Sequence, residues 1–158
     1  MLNKPAASEG PLKIGIATAG RFHVLDLARE LDALGHEVTL YSFVPRRRAR
    51  AFGLPHRCHV ALLPLVFPFV AWERLLPKWA PELRETWLHR ALNWAVALRL
   101  RRCDVFVFMS GIYLEAARTA RSRFGARLWL ERGSQHILAQ DALLAAAGGE
   151  RYWERNRQ

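Results

Sequence analysis

Cysteine, lysine and acid are all scarce in this chain, and no apolar run is long enough to cross a bilayer. Only Cys58 and Cys103 occur among the 158 residues, each at the start of an apolar run, where a free thiol behaves as a small buried hydrophobe. They offer no disulfide framework and suit a reducing compartment. His56, Cys58 and His59 are close in sequence but lack the ligand spacing of a zinc site and a second ligand pair, so no metal is expected. The most apolar stretch, 61–72, is interrupted by Pro64 and Pro68 and falls short of the roughly 20 apolar residues that a spanning helix needs. Met1 to Pro11 carries one lysine and no apolar core, so it does not read as a secretory signal. A cytoplasmic protein is expected, with a peripheral position at the inner membrane face left open.

Several nucleotide-binding signatures are missing too. Gly15 and Gly20 do not form G-x-G-x-x-G, and Tyr41-Ser42-Phe43 stands where a ribose-binding acid would end the second strand. A nicotinamide-dependent oxidoreductase is therefore disfavoured. No phosphate-loop motif occurs, and no Asp-x-Asp pair is available to hold a divalent ion between diphosphate oxygens. No cofactor is expected.

What is present is positive charge and a regular alternation of elements. Lys and Arg number 24 against 14 Asp and Glu, a formal net charge of +10, and only Lys4, Lys13 and Lys78 are lysine. Such a surplus seeks an anionic partner: nucleic acid, a membrane surface or a phosphorylated small molecule. Leu12–Thr18 reads as a buried strand, followed by a glycine turn at Gly20. Val24, Leu27, Ala28, Leu31 and Leu34 repeat at helical spacing, Gly35 stands at the helix end, and His36–Ser42 is a second strand. Strand, helix and strand in this order imply a right-handed crossover and parallel pairing. Pro45–Arg50 reads as a basic loop and His59–Leu65 as a third strand. Short helical pieces and turns are expected up to Trp79. A helix from Pro81 to Arg101 would carry Leu83, Trp87, Ala91, Trp94 and Leu98 as its stripe. Asp104–Met109 and Ala126–Leu130 are the last strands, with a helix over Tyr113–Arg123 between them and another over Ile137–Ala147. The expected fold is α/β, three-layered, with a mostly parallel sheet and helices on both faces. One domain spans 12–150 with an apolar insert at about 62–80, flanked by tails at 1–11 and 151–158.

Ligands of an open parallel sheet sit outside the carboxyl ends of its strands. That places interest on Ala19–His23, Ser42–Arg50, Ser110–Gly111 and Glu131–His136, which hold Gly20, Gly111, Gly133, Ser42, Ser110, Ser134, His23 and His136. The glycine turn with Arg21 and His23 beside it, opening a helix, favours an anion.

The order KIGIATAGRFHVLDLARELDALGHEVTLYS over Lys13–Ser42 resembles the opening of the family 4 retaining glycosyltransferases, enzymes of two facing Rossmann-like domains (the GT-B architecture). Asp104–Phe108, Ser110-Gly111, Gly125-Ala126 and Leu130-Glu131-Arg132-Gly133-Ser134-Gln135-His136 are similar to the second half of that family's N-terminal domain. The resemblance spans most of Lys13–Glu150. It implies sugar transfer from a nucleotide-sugar donor with retention, this domain binding the acceptor. Gly20, Arg21, Phe22 and His23 would line the cleft with Ser110 and Gly111. His136 would be the catalytic-side residue near the reacting sugar, and Glu131, Arg132 and Ser134 would shape its loop. The family's second domain, with its E-x(7)-E type motif and diphosphate-binding residues, has no counterpart after Glu150. No turnover is expected from this chain alone, and a protein supplying the donor-binding domain is an expected partner. A non-catalytic, regulatory half-domain is the alternative. A basic nucleic-acid-binding module is a third, although no helix-turn-helix, RNP or zinc-finger pattern supports it.

Arg46, Arg47, Arg48 and Arg50 could face water or meet an anionic surface or a lipid-linked acceptor phosphate. The insert, with Phe67, Phe69, Trp72, Leu75, Leu76 and Trp79, would either pack under the sheet or form an interfacial patch.

Overall fold

The computed structural model describes residues 10–19, 23–75, 81–131, 142, 143, 145 and 146, with the backbone alone for 72–75 and 81–85. The strands are β1 (Lys13–Ala17), β2 (Glu37–Ser42), β3 (His59–Ala61), β4 (Val105–Met109) and β5 (Arg127–Glu131). They form one sheet in the order β3-β2-β1-β4-β5, and every pairing is parallel. The helices are α1 (His23–Ala33), α2 (Arg46–Ala51), α3 (Leu63–Leu75), α4 (Pro81–Arg99) and α5 (Leu114–Phe124).

Alternation along the strands sends successive side chains to opposite faces, and the core divides accordingly. Ile14, Ile16, Val38, Leu40 and Val107 pack with Val24, Leu25 and Ala28 of α1 and Ala49 of α2. Ala17, Tyr41 and Phe106 pack on the other face with Val66, Leu92, Val96, Ala116 and Ala120 from α3, α4 and α5. The result is the three-layer, Rossmann-like α/β arrangement, with a sheet that is parallel throughout. Gly15 lies at a close approach on β1: a Cβ there would sit 3.1 Å from the Phe106 ring and 3.5 Å from the Cys103 sulfur. Glycine lets the crossover from α4 pass close to the central strand.

Four local expectations are corrected. The arginine run is a helix, not a loop: Pro45 precedes the first turn of α2, Arg and Ala are good helix formers, and buried Ala49 anchors it while the arginines stay exposed. The third strand stops at Ala61, and α3 runs unbroken through Pro64 and Pro68. Pro64 occupies the first turn, where no N–H is needed, and Pro68 forfeits one bond to the Pro64 carbonyl. Full burial of Leu62 and Val66 offsets that loss. On α4 the buried residues are Ala91, Leu92, Ala95 and Val96, whereas Trp87, Trp94 and Leu98 are 50%, 54% and 56% exposed. The stripe chosen from the bulky residues was one step off the packed one. The fourth correction concerns α1, where Val24, Leu25 and Ala28 are buried but Leu34 is 74% exposed and Leu27 is only partly covered.

Polar links tie the layers together. Asn93 of α4 accepts from the Ala116 N–H at 3.0 Å, filling one open donor at the start of α5. Tyr41 accepts the Arg101 N–H at 2.9 Å, joining β2 to the segment that leads into β4.

Candidate functional site

The strand order reverses its direction of growth between β1 and β4. At such a switch point the loops leaving the two strands diverge to opposite faces and open a crevice. Thr18, just past β1, donates its hydroxyl to Met109 Sδ at 3.4 Å across this point. Beyond β4 the chain turns at Ser110-Gly111, both exposed. The turn needs φ +91° at Gly111, in the left-handed region that a Cβ disfavours. The Ser110 N–H donates to the Glu131 carbonyl at 3.1 Å, which locks this turn to the end of β5.

His23 opens α1 on the same rim. Its Nε2 lies 3.0 Å from Glu131 Oε1, with the imidazole 55% and the carboxylate 26% exposed. Two residues 108 positions apart are thus joined because α1 starts, and β5 ends, at the carboxyl edge of the sheet. A carboxylate beside an imidazole holds the ring in one orientation. It favours a proton on Nε2 and leaves Nδ1 as an acceptor for a ligand hydroxyl.

Below this pair a groove of about 500 Å³ descends the α1 side of the sheet, between Leu27 and Leu31 of α1 and Val105, Val107 and Trp129 of the last two strands. It exists because α1 covers β1 and β2, while no described helix covers β4 and β5 on that face. Leu27 owes its partial exposure to this gap. The groove is polar at the rim, through His23 and Glu131, and apolar beneath. Sequence reasoning missed it, although the alternation along β5 puts Trp129 and Glu131, which line it, on one face.

Of the residues singled out from the sequence, His23, Ser110, Gly111 and Glu131 meet on one rim. Gly20, Arg21, Phe22, Arg132, Ser134 and His136 lie outside the described residues, as does most of the helix expected over Ile137–Ala147; residues 142, 143, 145 and 146 are helical.

Two further polar clusters were not foreseen. Ser42 Oγ and His59 Nε2 are 3.0 Å apart and nearly closed to solvent. Burial pushes the His59 pKa down, and Arg46 and His56 add to the effect. A neutral imidazole sealed beside a serine links β2 to β3, and no substrate can reach it. On the opposite rim Asp32 accepts from Arg57 at 2.9 and 2.7 Å and from the Cys58 thiol at 3.1 Å. Burial and the Asp32 bond push that thiol up to about 11, which makes Cys58 an inert donor instead of a nucleophile. Among the described residues no group of three or more His, Cys, Asp or Glu is placed to hold a metal ion, and no helix is long and apolar enough to cross a membrane.

No family model, no curated protein and no solved structure matches the chain.

Proposed function

We propose that this chain is the acceptor-binding half of a retaining glycosyltransferase that uses a nucleotide-sugar, its donor-binding half being supplied by a further domain or a partner protein. The observation that supports this reading is the convergence of His23, Glu131 and the Ser110-Gly111 turn at the carboxyl-end switch point, over an apolar groove. His23, from the segment that resembles the family's opening, and Glu131, the first residue of its later Glu-Arg-Gly-Ser-Gln-His stretch, meet there.

In this reading an acceptor hydroxyl sits against the free side of the His23 imidazole, Glu131 fixes the ring, and the apolar part of the acceptor lies along Leu27 and Trp129. Among the described residues the rim offers few groups to neutralise a departing diphosphate, and that electrostatic contribution is usually the largest in such chemistry. The chain by itself is therefore inactive.

The test combines the purified chain with a polypeptide carrying the E-x(7)-E donor domain, a panel of nucleotide-sugars and candidate acceptors. Product is expected only in the mixture, and His23→Ala should lower it by roughly tenfold or more, the cost of one hydrogen bond to a charged or polarised group. Steady turnover by the chain alone refutes its inactivity. The absence of both acceptor binding and transfer in the mixture refutes the assignment.

A further inference from the structure

The outer edge of β5 is the least protected part of the sheet. Among the described residues β5 pairs only with β4, yet it carries Leu128, Trp129 and Leu130 at 38%, 62% and 51% exposure. An apolar edge strand of this kind is a template for another strand, and proteins normally blunt or cover it.

The direction of its backbone groups is fixed by the bonds to β4. The Arg127 N–H donates to the Asp104 carbonyl, and the Glu131 carbonyl accepts from Ser110. Because backbone groups alternate along a strand, Arg127, Trp129 and Glu131 face β4, while the N–H and C=O of Leu128 and Leu130 point to the open edge. The sequence of the strand, Arg-Leu-Trp-Leu-Glu, reads as its own complement when reversed.

We propose that β5 pairs antiparallel with β5 of a second copy of this chain, about a two-fold axis through Trp129. In that register Leu128 faces the partner's Leu130 and the two exchange both N–H···O bonds, as the outward groups require. Trp129 faces the partner's Trp129 in the closer, non-hydrogen-bonded position, where side-chain contact is tightest. Arg127 faces the partner's Glu131, and Glu131 the partner's Arg127. Among the described residues no carboxylate pairs with Arg127, and Glu131 offers His23 only its Oε1. Charge, hydrogen-bond polarity and apolar contact all agree on this one register. A shift by one residue would set inward-facing groups against outward-facing ones, and a shift by two would unpair the charges. A second copy is favoured over an unrelated strand because the complementarity is internal to the strand.

Sedimentation velocity over a concentration series, with amide hydrogen exchange, tests this. Wild type should pass from monomer to dimer, with the Leu128 and Leu130 amides protected only at dimeric concentrations and the Trp129 amide protected throughout. Arg127→Glu or Glu131→Arg alone sets like charges opposite each other twice per dimer. Each should weaken association by roughly tenfold or more, whereas the double exchange Arg127→Glu with Glu131→Arg should return it to within about threefold of wild type. Recovery by the double variant separates loss of pairing from loss of folding. A chain monomeric at every concentration overturns the proposal. So does a dimer indifferent to the single variants, or one in which the Leu128 and Leu130 amides gain no protection.

Discussion

Two buried tyrosine hydroxyls should respond with opposite signs to the same one-atom deletion. Tyr41 and Tyr113 are each 1% exposed. Tyr41 accepts the Arg101 N–H, while among the described residues the Tyr113 hydroxyl finds no hydrogen-bond partner. Tyr41→Phe keeps the ring and its packing but strands the Arg101 donor, which is partly buried. Its cost should lie in the lower half of the usual penalty, about 1–2 kcal/mol, or a Tm lower by roughly 3–6 °C for a chain of this size. Tyr113→Phe removes an unpaired buried group and should raise stability by about 1 kcal/mol. A pH arm sharpens the test. Burial, partly opposed by the Arg101 bond, pushes the Tyr41 pKa up to about 12. A raised folded pKa gives stability that is complete below the ordinary phenol range and is lost as pH climbs toward the folded value. At pH 11 the unfolded phenol is mostly ionised and the folded one mostly protonated, a loss of about 1.4 kcal/mol in wild type. Tyr41→Phe has no such loss, so the gap measured by urea unfolding at pH 9 should nearly close at pH 11. The thiols Cys58 and Cys103, both pushed up to about 11, titrate alike in both proteins and cancel. Equal costs for the two tyrosine variants, or a gap that does not change with pH, would refute the hydrogen-bond assignment.

His59 predicts acid sensitivity. Its folded pKa is lowered, so the unfolded chain binds the proton more readily, and stability should fall as pH drops below the ordinary imidazole range near 6.5. The urea midpoint should decline between pH 7.5 and 5, and decline less in His59→Gln; an equal decline in both would contradict the burial argument. The exposed aromatics Phe67, Trp87 and Trp94, on a chain of net charge +10, predict salt-sensitive flotation with anionic vesicles. Replacing both tryptophans by serine should weaken it roughly tenfold. No flotation, or flotation unchanged by salt, removes the membrane surface as a partner.

The layered fold was legible because its signals are local. The spacing of apolar residues in β1, α1 and β2, the glycine after α1, and the all-apolar β4 each specify an element with little help from distant residues. The misreadings occurred where packing overrode a strong local feature. Bulk suggested Trp87 and Trp94 as core of α4, yet Ala91, Ala95 and Val96 lie against α3 and α5 because small residues let the helices approach closely. Pro68 argued for a break, and the burial of Leu62 and Val66 outweighed one missing bond. Charge suggested a loop at Arg46–Arg50, although a helix is content with arginine on every face but the one that holds Ala49.

The site was only half legible, for a different reason. His23 and Glu131 could each be placed on the carboxyl rim from strand order alone, but their contact depends on the tilt of α1 over the sheet, which no short motif records. The apolar groove beneath them was still harder to foresee, because it lies beside α1 against strands that, among the described residues, no helix covers on that face. Val105, Val107 and Trp129 are apolar in the way expected of strands covered on both faces, and a reader of the sequence supplies the cover automatically. The exposure of Leu128, Trp129 and Leu130 on β5 is therefore the feature that apolar patterning alone foretells least. A chain that keeps Trp129 and two leucines on an open edge, flanked by charges of opposite sign, needs something to occupy that edge, and the antiparallel copy of the same strand satisfies every group it presents.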